Sequence, residues 1–366
     1  MRLSKTRSHI PNSSCYSGYW KLFWELLLTQ HLFIATENWK SMAKLRRNWS
    51  HVLIISLALM EYSSAKFQPI IGVMMQNING MHCNDQYAMT NYQSFIAQGG
   101  AGAVPIFVDQ PDSYYEQLIP RLNGVLLPGG GLDNLVTSPF ANVSKLVFDM
   151  AMKMNDGGVH FPVWGTCQGF EEMTTLPLKP QQDLLSNCSG TEGVLLPLNY
   201  TAAAKTSRLF KDMLPSLKDT LGKAKITPNF HNLCLSTKTF RETQQLNDFY
   251  TVLSTNVDVK GLEFVSTMEA KEYPFYATQW HPEKINYNFV NGLNNDPTFS
   301  TAMIAQYFGN FLVQEANKNS NSFHSDDEAA RFLFNNYPTQ FTGGNGAYLD
   351  IYCLKKTDAP KFDRNM

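Results

Sequence analysis

The 366-residue chain carries 30 Lys and Arg against 31 Asp and Glu, a formal net charge of -1, and is 43% hydrophobic and 13% aromatic. That length and apolar content supply a sizeable core, in one large domain or two small ones. Near-neutrality, with no basic run interleaved with aromatics, argues against a nucleic-acid or anionic-membrane partner, and no repeat period of about 20 to 50 residues is visible.

The first 65 residues differ in kind from the rest. WKLFWELLLTQHLFIA (20–35) reads as an apolar helix. MAKLRRNWSHVLIISLALMEYSSAKF (42–67) has a basic cluster at Lys44, Arg46 and Arg47, an apolar run over 52–60, and small residues at Ser63, Ser64 and Ala65. This is the layout of a secretory signal peptide cleaved after Ala65, too short to span a bilayer comfortably. A buried strand or helix is the blander reading. Signals are read near a chain start, so translation is expected to begin at Met42, with no stable membrane insertion after cleavage. Two regions result: an extension with its signal over 1–65, and one domain over 66–366. The latter carries 22 basic and 28 acidic residues and five of the six cysteines. An odd number of cysteines in an oxidising compartment leaves at least one thiol free if none pairs between chains. N-x-[ST] acceptors at Asn142, Asn187 and Asn199 agree with the secretory route.

Beyond residue 65, strand-like and helix-like segments alternate. PIIGVMMQ (69–76) is an apolar run suited to a strand buried on both faces, and QYAMTNYQSFIAQGG (86–100) suits a helix stopped by paired glycines. AVPIFVD (103–109) predicts a second strand, SYYEQLIPRL (113–122) a short helix, and NGVLLPGGG (123–131) a third strand entering a glycine-rich loop. NVSKLVFDMAMKMNDGG (142–158) predicts a helix, and HFPVWGT (160–166) a strand that ends at Cys167. GVLLPL (193–198), LEFVSTM (262–268) and PFYATQWHPEK (274–284) add strands, some antiparallel. The helix 298–316 is expected to present Phe299, Met303, Tyr307 and Phe311 to the core at i, i+4 spacing, and 317–328 to be a surface loop. The pattern is that of an α/β fold, a mainly parallel central sheet with helices on both faces.

In such sheets reactive groups sit beyond the carboxyl ends of the strands. FPVWGTCQGFEE (161–172) puts Cys167 there, flanked by Gly165 and Gly169 as in a nucleophile elbow with cysteine for serine. The glycines allow a sharp turn, and a helix starting at Gln168 would favour thiolate. An inert buried cysteine is the alternative reading. QWHPEK (279–284) offers His281 as a base with Glu283 two residues on, where a period of two places both side chains on one side. His231 is a second histidine, for which a satisfied core role is slightly favoured. PGGG (128–131) offers backbone N–H groups for an oxyanion; no G-K-[ST] follows, which excludes a P-loop. No cysteine spacing suggests a metal site, and no cofactor is expected.

PGG after the third strand, then GTCQGFE, then QWHPEK, in that order, resembles the class I glutamine amidotransferase-like superfamily. Within it, PIIGVMMQ, FPVWGTCQGFEE, TPNFHNLCLS and FVSTMEAKEYPFYATQWHPEK resemble the gamma-glutamyl hydrolase family, from about Pro69 to about Leu354. The resemblance implies a flavodoxin-like three-layer fold and cleavage of gamma-glutamyl amide bonds in folylpoly-gamma-glutamates without a cofactor. It also implies a lysosomal or secreted enzyme with a small-molecule substrate, and a homodimer as its assembly. Carried over by residue, Cys167 is the nucleophile, His281 the general acid/base and Glu283 the carboxylate that orients it. Gly130 and Gln168 supply the oxyanion hole, His231 and Glu171 contact substrate, and Asn199 matches a glycosylation position. Gln168 departs from the family pattern, where an aliphatic residue is expected, and bears on chain-length preference. A glutaminase subunit, a hydrolase of other gamma-glutamyl amides and a non-catalytic binding module are the alternatives.

Overall fold

The computed structural model describes residues 68–77, 83, 85–131, 134–287, 298–342 and 350–362. The expected signal peptide, the apolar stretch 20–35 and the Met42 start lie outside the described residues. The first strands are β1 (Ile70–Met74), β2 (Gln76–Asn77), β3 (Gln86–Met89), β4 (Gly102–Ile106), β5 (Gly124–Leu127) and β6 (Val163–Thr166). There follow β7 (Ser186–Asn187), β8 (Glu192–Leu196), β9 (Asn199–Tyr200), β10 (Thr227–Phe230) and β11 (Leu233–Cys234). The last are β12 (Tyr250–Val257), β13 (Glu263–Ala270), β14 (Phe275–Thr278), β15 (Thr339–Phe341) and β16 (Asp350–Leu354). The helices that position the site are α1 (Thr90–Ala97), α2 (Asp112–Leu118), α3 (Pro139–Asp156), α4 (Gln168–Thr175), α5 (Phe299–Ala316) and α6 (Asp326–Phe332).

The main sheet has eight strands in the order β4-β1-β5-β6-β14-β13-β12-β9. The pairings from β4 to β14 are parallel, and those from β14 to β9 are antiparallel. Helices cover both faces, as neighbouring residues on single strands demonstrate. Trp164 on β6 packs against Phe95 of α1 and Phe308 of α5, with ring centroids 6.0 and 6.4 Å away. The next residue, Gly165, faces α4, where a Cβ would lie 2.6 Å from Met173 Sδ. On β14, Tyr276 meets Phe311 of α5 while Phe275 meets Phe148 of α3. The expected fold class is the one observed.

Four expectations are corrected. Gln86–Met89 is a strand, β3, paired with β2 and β16, so the helix begins only at Thr90. Its partner β16 lies far along the chain, beyond the reach of local periodicity. α3 starts at Pro139, three residues early, because Ser138 caps it by accepting from the Ala141 N–H at 3.0 Å and proline fits the first turn. On α5, Phe299 is 81% exposed, and the core instead receives Ile304, Phe308 and Leu312. Tyr307 and Phe311 are only partly buried, because the stripe one residue further on faces inward. The end of the loop 317–328 is helical, since Ser325 caps α6 and three acidic residues occupy its first turn.

Two disulfides tie distant segments. Cys83–Cys353 fixes the C-terminal strand β16 beside β3, across a separation of 270 residues, and Cys188–Cys234 joins β11 to the residue after β7. Among the described residues Cys167 is the free cysteine. None of the described helices is long and apolar enough to cross a membrane.

Candidate active site

Cys167 occupies the single residue between β6 and α4, with φ 52° and ψ -110°. An L-residue rarely takes this conformation, and such strain costs on the order of 1–3 kcal/mol. The turn is forced by packing. A Cβ on Gly169 would lie 2.0 Å from the Leu127 carbonyl oxygen, and one on Gly165 would lie 2.5 Å from the Gly169 carbonyl oxygen. Both obstacles are backbone and cannot give way, so the two glycines let α4 press against β5 and β6. The thiol is buried, with its sulfur 3.5 Å from the Phe230 carbonyl oxygen. The helix start was expected to favour thiolate. The Gln168 N–H does act in that direction, but burial, reinforced by the Glu171 charge, outweighs it and pushes the Cys167 pKa well up. Burial thus works against the thiolate in the resting site.

His281 and Glu283 meet as expected, though by a different route. β14 ends at Thr278, so the pair lies in the turn that follows and not on a strand with period two. Trp280 anchors this turn, donating its indole N–H to Thr267 Oγ1 at 3.0 Å and packing edge-on against Phe308. His281 Nδ1 lies 2.6 Å from Glu283 Oε1, and both side chains are buried. The other ring nitrogen, Nε2, is buried without a hydrogen-bond partner. Burial pulls the His281 pKa down; Glu283 opposes this and Lys284 adds to it. A neutral imidazole with its free nitrogen at Nε2 can take a proton.

The glycine loop after β5 closes the third side. A Cβ on Gly129 would lie 2.8 Å from His281 Cε1, 2.9 Å from the Tyr92 hydroxyl and 3.2 Å from Cys167 Cβ, so one small volume adjoins all three. The Gly129 N–H donates to the Tyr92 hydroxyl at 2.6 Å, and its carbonyl accepts from Gln76 Nε2 at 2.9 Å. Gly130 follows, packed against the Gln76 side chain. Gln76 and Tyr92 were missed by the sequence reading; the signal for Gln76 is that it follows β1 at the same sheet edge as Cys167. His231 is held on both sides, with Nδ1 2.8 Å from the Leu233 carbonyl oxygen and Nε2 3.2 Å from Asn229 Oδ1. Burial pulls its pKa down to about 4. Asn142, Asn187 and Asn199 are exposed. No group of three or more His, Cys, Asp or Glu able to hold a metal exists among the described residues.

The Peptidase C26 pattern matches residues 69–283, from the start of β1 through Glu283. The chain belongs to the Peptidase C26 family. It is 40% identical to the mouse gamma-glutamyl hydrolase over 295 residues, covering 80% of this chain and 91% of the relative. The human gamma-glutamyl hydrolase is 36% identical over 78% of this chain and 89% of its own, and gamma-glutamyl hydrolase B of Dictyostelium discoideum 34% over 81% and 86%. Family membership makes the protein an enzyme of the gamma-glutamyl hydrolase type.

Two adjacent acids on α4 carry an electrostatic load. Glu171 accepts from Gln279 Nε2 at 2.9 Å, and burial pushes its pKa up to about 7. Glu172 is buried with neither oxygen hydrogen-bonded; burial, with Glu171 and Asp183 adding to it, pushes its pKa from 4.5 to about 9. The folded protein therefore keeps a proton that the unfolded chain loses above pH 4.5, so this group's contribution to stability falls from pH 4.5 and levels off near pH 9. Glu172→Gln is expected to raise Tm by roughly 5 °C or more at pH 8 and to change it little at pH 4.5. A thermal melt series shows this as a flatter pH profile; an unchanged difference across pH would contradict it.

Proposed function

We propose that the protein hydrolyses the gamma-glutamyl amide bonds of folylpoly-gamma-glutamates through a glutamyl thioester on Cys167. The observation that carries this reading is the meeting, around Gly129, of a strained free cysteine with a carboxylate-held histidine whose outer nitrogen has no partner. The Cys167 thiol gives its proton to His281 Nε2 as the sulfur attacks the gamma-carbonyl carbon. Glu283 holds the imidazole and balances the imidazolium that forms. Backbone N–H groups of Gly130 and Gln168 receive the oxyanion. His281 then protonates the leaving amine, water attacks the thioester with His281 as base, and the thiol is restored. A substrate contact for Glu171 and His231 is supported by the sequence resemblance alone, since both are buried and both His231 nitrogens face protein oxygens. The folate-linked substrate class is supported by the sequence resemblance and by the relatives' names.

Incubation with folate pentaglutamate and, separately, with glutamine tests this directly. Shortened folates with little ammonia from glutamine are expected. Glutamine turnover without shortened folates would instead favour a glutaminase.

The same proposal places the enzyme on the secretory route, in lysosomes or medium. Its supports are the signal layout of residues 42–65, two disulfides and three exposed acceptor asparagines. A product starting near Lys66 whose mobility shifts on glycosidase treatment is expected; a cytosolic, unglycosylated product keeping residues 1–41 would overturn it.

A further inference from the structure

The loop after β5 runs through Gly129, Gly130 and Gly131 in succession, with no Cβ to fix which way a peptide turns. A peptide there can present either its carbonyl or its N–H to the sulfur, so its orientation has to come from a partner outside the loop. Gln76 is such a partner. It is buried, and its Nε2 donates to the Gly129 carbonyl at 2.9 Å and to the Pro128 carbonyl at 3.4 Å. Its Oε1 accepts from the Tyr87 hydroxyl at 2.7 Å, and Tyr87 faces Gln76 across β2 and β3. The end of the amide that meets the loop is thereby fixed as the donor. A Cβ on Gly130 would collide with the same amide.

In a planar trans peptide the carbonyl oxygen and the following Cα lie on one edge, and the preceding Cα and the N–H on the other. Gln76 packs along the first edge of the Gly129–Gly130 peptide, against the Gly129 oxygen and the space beside Gly130 Cα. The Gly130 N–H therefore leaves from the edge that holds Gly129 Cα, where a Cβ would lie 3.2 Å from Cys167 Cβ and 2.8 Å from His281 Cε1. We propose that Gln76 is a positioning residue for the hydrolysis: by holding the Gly129 carbonyl back, it aims the Gly130 N–H at the oxyanion formed when Cys167 attacks. The inference rests on the gamma-glutamyl reading above and deepens it. Gln76 itself touches no reacting atom. Reversed, the same peptide would set a carbonyl dipole against the developing negative charge, at the point where preorganised donors contribute most to such catalysis.

The test uses Gln76→Met, which keeps the length of the side chain and removes the donor. With folate pentaglutamate, kcat is expected to fall by roughly 10- to 100-fold with KM little changed, less than the loss of a whole oxyanion donor because the N–H remains and is only misaimed. A second readout is the affinity for N-acetylglutamate gamma-semialdehyde. On its addition the sulfur bonds to the aldehyde carbon, the carbonyl oxygen takes up the electron pair, and the thiol proton goes to His281. That affinity should fall by a similar factor. Alkylation of Cys167 by iodoacetamide, which displaces iodide and forms no oxyanion, should keep its rate. Gln76→Asn, polar but one carbon short of the loop, carries the same comparison if the methionine variant does not fold. An unchanged kcat, an effect confined to KM, or alkylation slowing in step with kcat overturns the inference, the last by showing that Gln76 merely holds the site together. An unsubstituted enzyme that does not shorten folate pentaglutamate removes the gamma-glutamyl reading and this inference with it.

Discussion

Cys167→Ala is expected to lower hydrolysis at least ~10³-fold while leaving a folded protein that still binds substrate, because the substitution removes only the attacking atom. Cβ stays in place, so the contacts around Gly129 and the turn between β6 and α4 persist. A second substitution isolates the strain. Cys167→Gly should be equally inactive yet more stable than Cys167→Ala, by about 1–3 kcal/mol, because glycine adopts φ 52° and ψ -110° without the Cβ penalty. Thermal melts of the two variants read that difference, and activity assays read the first. Substantial turnover by the alanine variant would remove Cys167 from the mechanism. Equal stabilities would mean that the elbow stores no strain. Alkylation is a consistent check: iodoacetamide should modify Cys167 alone among Cys83, Cys167, Cys188, Cys234 and Cys353 until disulfides are reduced, since the other four are paired.

Much of this site was legible in the sequence because its parts are local. Gly165 and Gly169 are two residues either side of Cys167, and the close strand–helix approach that demands them is set within that pentapeptide and by the neighbouring β5. His281 and Glu283 are likewise neighbours, although the turn that joins them is anchored by Trp280 and not by strand geometry. What was not legible depends on long-range placement. Gln76 and Tyr92 hold the Gly129 peptide from 53 and 37 residues away, and no local period marks either. Lys284 reads as a surface lysine until Phe230 is brought over it. The helix α5 failed for a different reason. Apolar residues occur at 299, 303, 307 and 311 and again at 304, 308 and 312, so two stripes one residue apart compete, and only the partners on α1 and β6 choose between them. The opposition to the thiolate was not legible because a helix N-terminus is visible in sequence, whereas the burial and Glu171 charge that act against it are tertiary facts.

His281→Asn is expected to cost at least ~100-fold in kcat/KM, the usual scale for a general acid/base, and His231→Asn much less. The two histidines are buried alike, so exposure does not separate them; their hydrogen bonds do. Both nitrogens of His231 face protein oxygens, whereas His281 gives Nδ1 to Glu283 and keeps Nε2 without a partner. Near-total loss in both variants would give His231 a direct part in the chemistry. The pH profile supplies an independent readout. Burial holds the His281 pKa below 6.5, so the base form survives into acid and the acid limb of kcat/KM should lie below pH 6.5. Glu283 acts to raise that pKa, so Glu283→Gln should move the limb to still lower pH while reducing the maximal rate, because the imidazole loses the partner that fixes its tautomer. A limb that moves to higher pH, or a Glu283→Gln enzyme with an unchanged profile, would show that the carboxylate does not act through His281. Activity retained in acid is also what an enzyme working in lysosomes requires, so the geometry of the pair and the proposed compartment make the same demand on one imidazole.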